Sequence, residues 1–200
     1  GEIFPLEMIS YVNLIGQGEE VTILTPSSYN KGIILDNVSV TISNFQIFDA
    51  TCYNYDPGCG AKITNSNVNL TNITIKSCSH YGSGAGIYID NSTSNFSNVN
   101  IISNQSLDHA NAGMYIENSS ISFIGGSIIS NHSFGYAGGL GLNNVNVSVF
   151  QDFNISDNSS GSGGGAAMSI SSCSDIIFDN IIVSNNRQYN SSWYDGIIQI

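Results

Sequence analysis

The sequence predicts an all-β fold: a single-stranded right-handed parallel β-helix (β-solenoid) with about 27 residues per coil and seven or more coils. Three observations predict it. Aliphatic, Asn and Gly residues recur in columns that share one register. Apolar residues between those columns alternate with the period of two that marks a strand. No helical stripe is long enough to serve as a crossover between strands.

The first column is Leu35, Ile63, Ile89, Ile116, Leu142 and Ile170, with steps of 28, 26, 27, 26 and 28 residues. Seven places on come Ile42, Leu70, Phe96, Phe123, Val149 and Ile177. Twelve places on come Ile47, Ile75, Ile101, Ile128, Ile155 (one residue late) and Ile182. The alternations Val38, Val40, Ile42 and Val145, Val147, Val149 turn the same face inward. Each coil then lays its columns on those of the next at the strand spacing of about 4.8 Å.

Two polar columns keep that register. Asn37, Asn65, Asn91, Asn118 and Asn144, then Ser172, follow the first column by two places. Asn104, Asn131, Asn158 and Asn185 form the second, at a constant 27 residues. Asn tolerates the left-handed conformation of a tight turn, and stacked amides bond up and down the pile, so both columns are expected to be Asn ladders. The column Gly32, Gly60, Gly86, Gly113 and Gly139 is expected where the backbone turns sharply.

Composition narrows the function. The chain of 200 residues is charged at only 10% of positions and carries a net charge of −11. Its cations are Lys31, Lys62, Lys76 and Arg187 alone. Phosphates need a basic footprint, so a nucleic-acid partner is not expected. No apolar run approaches the length of a membrane span. Twelve Asn-X-Ser/Thr acceptors, at Asn37, Asn69, Asn72, Asn91, Asn95, Asn104, Asn118, Asn131, Asn146, Asn154, Asn158 and Asn190, favour an extracellular or cell-surface glycoprotein. Asn69, Asn72, Asn95, Asn146, Asn154 and Asn190 fall off the two ladders and are the glycosylation candidates.

Candidate sites are few. Asp90 and Glu117 face each other in the column Asp36, Thr64, Asp90, Glu117, Asn143, Ser171, close enough for a shared cation or an acid–base pair. Two solvated acids on an outer strand face are the reading adopted. His80, His109 and His132 follow the third strand of successive coils in differing registers, which suits surface histidines better than a metal site. Loops rich in Tyr and Phe, at 52–59, 80–84, 132–136 and 189–195, leave at one corner and offer rings to carbohydrate or to another chain. Of the four cysteines, Cys52, Cys59 and Cys78 are the disulfide candidates, with one bridge among them, and Cys173 is expected to be a buried free thiol.

The stretches Phe4-Pro5-Leu6-Glu7, Val12-Asn13-Leu14-Ile15-Gly16-Gln17-Gly18 and Val21-Thr22-Ile23-Leu24 are similar to early coils of pectin-lyase-like right-handed β-helices. The Ile-Ile-Ser-Asn repeats at 101–104 and 128–131 resemble surface proteins of the polymorphic-outer-membrane-protein type. The resemblance covers nearly the whole chain and implies architecture; the fold hosts lyases, hydrolases, adhesins and fibres alike. Lyases of that family use calcium-binding carboxylates and a cationic base, but Arg187 lies beside no carboxylate pair. The Asn-Thr-Asp, Asp-Asp and Gly-His motifs of polygalacturonase-like enzymes do not occur. Hence no catalytic, cofactor-binding or metal-binding residue is assigned.

Residues 1–200 are thus read as one solenoid domain, without a capping helix and ending on a strand-like segment, part of a longer or end-to-end assembled solenoid. The expected role is a non-catalytic extracellular structural or adhesive segment of a glycosylated surface appendage or fibre. Its expected partners are further copies or adjoining solenoid segments, N-glycans and carbohydrate. The alternative is a polysaccharide lyase or glycoside hydrolase of pectin-lyase-like fold.

Overall fold

A computed structural model describes residues 2–26, 29–108, 111–161, 164–189 and 197–200. The chain winds into a parallel β-solenoid of about seven turns, the architecture expected of a right-handed β-helix. Each full coil contributes to each of three parallel sheets. The first sheet is built from four-residue strands: Ile33–Asp36, Ala61–Thr64, Ile87–Asp90, Met114–Glu117, Leu140–Asn143 and Met168–Ser171. The second takes longer strands, such as Thr93–Ile102 and Ser120–Ile129. The third is a pile of two-residue strands, Thr51–Cys52, Ser79–His80, Gln105–Ser106, His132–Ser133, Ser159–Ser160 and Arg187–Gln188.

Three columns of left-handed residues turn the chain between and within these sheets. One column is Asn37, Asn65, Asn91, Asn118, Asn144 and Ser172. A second bends the long strand at Asn44, Asn72, Asn98, Gly125, Asp152 and Asn180. A third precedes the short strand at Asp49, Ser77, Ser103, Ser130, Asp157 and Asn185. Asn and Asp make up most of these positions because they tolerate positive φ better than other residues with side chains; Ser takes most of the rest.

The first aliphatic column holds along its length: Leu35, Ile63, Ile89, Ile116, Leu142 and Ile170 are direct partners. The next column agrees with expectation only as far as Phe123. It continues through Phe150 and Phe178 and not through Val149 and Ile177. The cause is one inserted residue. Val147 adopts φ 48° and Asp175 φ 54°, one above the other, and both stand outside the ladder between paired neighbours. The slip turns Val147 outward, 71% exposed, and moves Phe150 inward. By the same slip Ile155 lies under Val183, and Ile182 is 62% exposed. Phe96, Phe123 and Phe150 are fully buried and pack ring against ring at 5.7 and 6.3 Å; Phe178 stacks on Phe150 at 5.2 Å.

The inner Asn ladder runs Asn104, Asn131, Asn158, Asn186. Asn186 replaces the expected Asn185, which takes the left-handed turn beside it. Asn104, Asn131 and Asn158 are each bonded to the coil below and to the coil above. Asn131 Nδ2 donates to Ile101 O (3.0 Å) and Asn158 Oδ1 (2.9 Å), while its Oδ1 accepts from the Asn104 backbone (2.9 Å) and Asn104 Nδ2 (3.0 Å). The glycines beside this ladder have ordinary φ, so a sharp turn is not their reason. A Cβ on Gly86 would meet Gly113 O at 2.5 Å and Asn104 Nδ2 at 3.0 Å. They are needed because coil and ladder approach too closely for a side chain.

The outer ladder is broken into pairs. Asn91 donates to Asn65 (2.7 Å) and Asn144 to Asn118 (2.8 Å), but Asn65 donates to Asp36 (3.1 Å) and Asn118 to Asp90 (2.8 Å). A carboxylate one coil below is the stronger acceptor and intercepts the amide. Asn37 lies under this column without a side-chain bond to Asn65. Buried Ser66, Ser92 and Ser119 line the next position inward, each hydroxyl accepting the backbone N–H of the coil below.

Candidate functional site

The outer face of the first sheet carries the side chains with the most chemistry. Its outward column runs Ile34, Lys62, Tyr88, Tyr115, Gly141, Ser169, flanked by Asp36, Thr64, Asp90, Glu117, Asn143 and Ser171. Asp90 and Glu117 are direct backbone partners, as the spacing predicts. Their carboxylates are engaged separately. Asp90 accepts from Asn118 Nδ2. Glu117 accepts the Tyr88 hydroxyl on one oxygen and the Tyr115 hydroxyl (3.4 Å) on the other. The two rings lie 6.0 Å apart. Burial, then the Glu117 carboxylate, pushes both phenol pKa values up, so the tyrosines remain donors. Among the described residues no three His, Cys, Asp or Glu side chains gather where they would hold a metal ion.

Above Tyr115 the outward column shrinks to Gly141 and Ser169, and a cleft of about 190 Å³ opens. Tyr115 and Tyr136 are among its walls, with Asn111, Asn143, Ser169 and Ser171 as polar groups. A larger polar groove of about 930 Å³ follows the outer Asn ladder, lined by Asn65, Asn91, Asn118 and Asn144 and by hydroxyls such as Ser39, Thr93 and Ser120.

The corner between the third and first sheets carries the aromatic loops. Cys52 and Cys59 are joined by a disulfide, closing the first of these loops. Cys78 is a buried free thiol, its pKa pushed up to about 12 by burial, which keeps it protonated and inert. Cys173 is free but only half-buried, correcting the expectation of a buried thiol; its sulfur accepts Val145 N–H at 3.4 Å, taking the place of the serine hydroxyls below.

Lys31 pins the same loop from beneath. Its Nζ sits among the carbonyl oxygens of Asp56 (2.5 Å), Pro57 (2.7 Å) and Gly58 (3.2 Å), and 3.3 Å from the Asp56 carboxylate. Burial lowers the lysine pKa to about 8, although Asp56 pulls the other way. Burial also opposes ionisation of Asp56, but Lys62, 2.5 Å away, and Lys31 outweigh it and hold the carboxyl below its usual range. His80 was expected at the surface and is instead fully buried. Its Nδ1 accepts Gly82 N–H, which leaves Nε2–H to donate to Asp56 O at 2.8 Å. Burial lowers its pKa and keeps it neutral.

On this pinned loop Tyr53 and Tyr55 are exposed, and Tyr53 lies between Tyr29 (4.8 Å) and Tyr81 (5.8 Å). Farther along the corner His132 is half-buried, bonds Ser159 Oγ (2.8 Å) and packs edgewise on Phe134 and Tyr189. Arg187 stacks 5.0 Å from the Tyr189 ring centre. His109, Asn190 and the aromatic residues 193–194 lie outside the described residues.

The acceptor asparagines sort by environment in a way that the register did not show. Asn104, Asn131 and Asn158 are 0% exposed. Three of the candidates placed off the ladders stand in further ladders of their own. Asn72 donates to Asn44 (2.9 Å), Asn95 to Asn69 (3.0 Å), and Asn69 reaches Thr41 at 3.5 Å. Asn154 donates to Ser156 (3.2 Å), and among the described residues the Asn146 side chain only accepts, from Ser174 (2.9 Å).

Compared with protein-family models and with curated proteins, the chain matches none.

Proposed function

We propose that this chain is a non-catalytic structural or adhesive β-solenoid that works outside the cell, as a segment or subunit of a glycosylated surface appendage or fibre. The observation that carries the proposal is the repetition of hydrogen-bonded polar columns on the outside of successive coils: Asn65–Asn91, Asn118–Asn144, Asn44–Asn72–Asn98 and Asn69–Asn95. Such columns stiffen a rod and present the same uncharged groups coil after coil, which suits repeated weak contacts. The nearest approach to a catalytic pair, Asp90 and Glu117, serves the same stacking, one acid holding an amide and the other two phenols. A disulfide-closed loop and the abundance of acceptor sequons support an oxidising, extracellular setting.

The test pairs electron microscopy of the native material with an assay for polysaccharide cleavage. Rods or filaments without turnover are expected. Turnover of acidic or neutral polysaccharide that is lost in Asp90→Asn or Glu117→Gln would overturn the non-catalytic reading.

A further inference from the structure

We infer that the cleft between Tyr115 and Tyr136 is a binding site for a single neutral pyranose unit, the contact through which the rod would hold a glycan. The inference rests on the adhesive half of the function proposed above.

Four observations carry it. First, the cleft exists because a side chain is missing from a column that is otherwise filled. Lys62, Tyr88 and Tyr115 occupy the outward position in three successive coils, and Gly141 leaves it open in the fourth. A Cβ there would meet Asn111 Oδ1 at 2.7 Å and Tyr115 Cδ2 at 2.9 Å. Second, the aromatic wall is fixed in advance. Tyr115 is held by its hydroxyl on Glu117 and by its ring against Tyr88, while Tyr136, 50% exposed, faces it from a loop. Rigid rings suit the apolar face of a sugar, because little conformational freedom is lost on contact.

Third, a buried donor waits in the cleft. Asn111 is only 7% exposed. Its Oδ1 accepts Ala137 N–H at 3.1 Å, which fixes the amide orientation, and its Nδ2 donates to no described residue. Asn143, Ser169 and Ser171 add amide and hydroxyl groups around the rim. Fourth, size and charge narrow the ligand. About 190 Å³ is well below the roughly 300–1,000 Å³ of a drug-sized pocket and suits one six-membered ring. The Glu117 carboxylate behind Tyr115 and the net charge of −11 disfavour an anionic sugar.

The whole chain, isotopically labelled on Tyr rings and Asn amides, is titrated with the methyl pyranosides of glucose, galactose and mannose, with galacturonate as the acidic comparison. Saturable shifts confined to Tyr115, Tyr136 and Asn111 are expected for at least one neutral glycoside, with a Kd on the order of 1 mM. Galacturonate is expected to bind at least tenfold more weakly. Tyr136→Ala, on an exposed loop, is expected to weaken binding tenfold or more in a chain that melts as the parent does; Gly141→Ala, whose Cβ presses on Asn111 and Tyr115, is expected to weaken binding as much and to lower the melting temperature. No saturable shift with any neutral glycoside, or shifts that persist in both variants, would overturn the site while leaving the structural reading standing. Release of methanol from a glycoside would instead overturn the non-catalytic reading and leave the binding shifts in place.

Discussion

The two asparagine ladders use one residue type at nearly one spacing, yet they differ in kind. Along the inner ladder every amide is enclosed, and Asn104, Asn131 and Asn158 each bond backbone in the coil below and an asparagine side chain in the coil above. Along the outer ladder the amides face solvent and bond in pairs, with Asn65 and Asn118 turned instead to the carboxylates of Asp36 and Asp90. Water competes for the outer bonds and cannot reach the inner ones. What an asparagine contributes is therefore set by what surrounds it, and repetition in the sequence does not reveal which kind a column will be.

The difference is sharpest for sugar attachment, because the atom that would carry a glycan is the same Nδ2 that donates in the ladders. Asn104, Asn131 and Asn158 are expected to be empty in folded protein from a glycosylating host. Asn146, whose Nδ2 has no partner among the described residues, is expected to be occupied, and so is Asn37. Glycopeptide mass spectrometry decides this. Sugar on the inner three would mean that the ladder is not closed in solution.

Stability comes next. Phe123→Ala, which empties the centre of the ring column, is expected to cost roughly 3–5 kcal/mol. Asn131→Ala should approach it, at roughly 3 kcal/mol, because four bonds are lost and buried groups on two coils are left unpaired. Asn118→Ala, in the outer ladder, should cost about 1–2 kcal/mol, much of it from forcing alanine into positive φ. Asn118→Gly separates the two causes and should cost less than alanine. Denaturant melts of the four variants make the comparison; equal losses for Asn131→Ala and Asn118→Ala would erase the distinction between ladders.

The smallest expected effect concerns pH. His80 has its folded pKa lowered by burial, so its neutral form is favoured only in the folded chain. That stability is present above about pH 6.5, the unfolded value, and is lost as pH falls towards the lowered folded one. His80→Gln should flatten the acid side of the melting profile. A profile unchanged by the substitution would show that His80 does not titrate on unfolding.

Much of the fold is legible in the residues because each column repeats a physical requirement: aliphatic inside, Asn at positive φ. The bend column Asn44, Asn72 and Asn98 was equally legible, seven places after the first Asn column. The slip at Val147 was not, because Val149 and Ile177 are as apolar as the Phe150 and Phe178 that displace them, and hydropathy cannot choose between them. Asn185 and Asn186 posed the same ambiguity with identical side chains. The candidate site was less legible still. Lys31 is held mainly by main-chain carbonyls, which leave no trace in a side-chain pattern, and the cleft depends on a glycine meeting a loop tyrosine from a neighbouring turn.

The extra residue at Val147, matched by Asp175 directly above, behaves as a dislocation does in a crystal. Once one layer carries a surplus row, the next must carry it too or lose registry across the whole face. Length variation along this chain is consequently a collective property. Removing Val147 alone would strand Asp175, whereas removing both together would heal the fault and restore to coils 140–183 the repeat of those beneath.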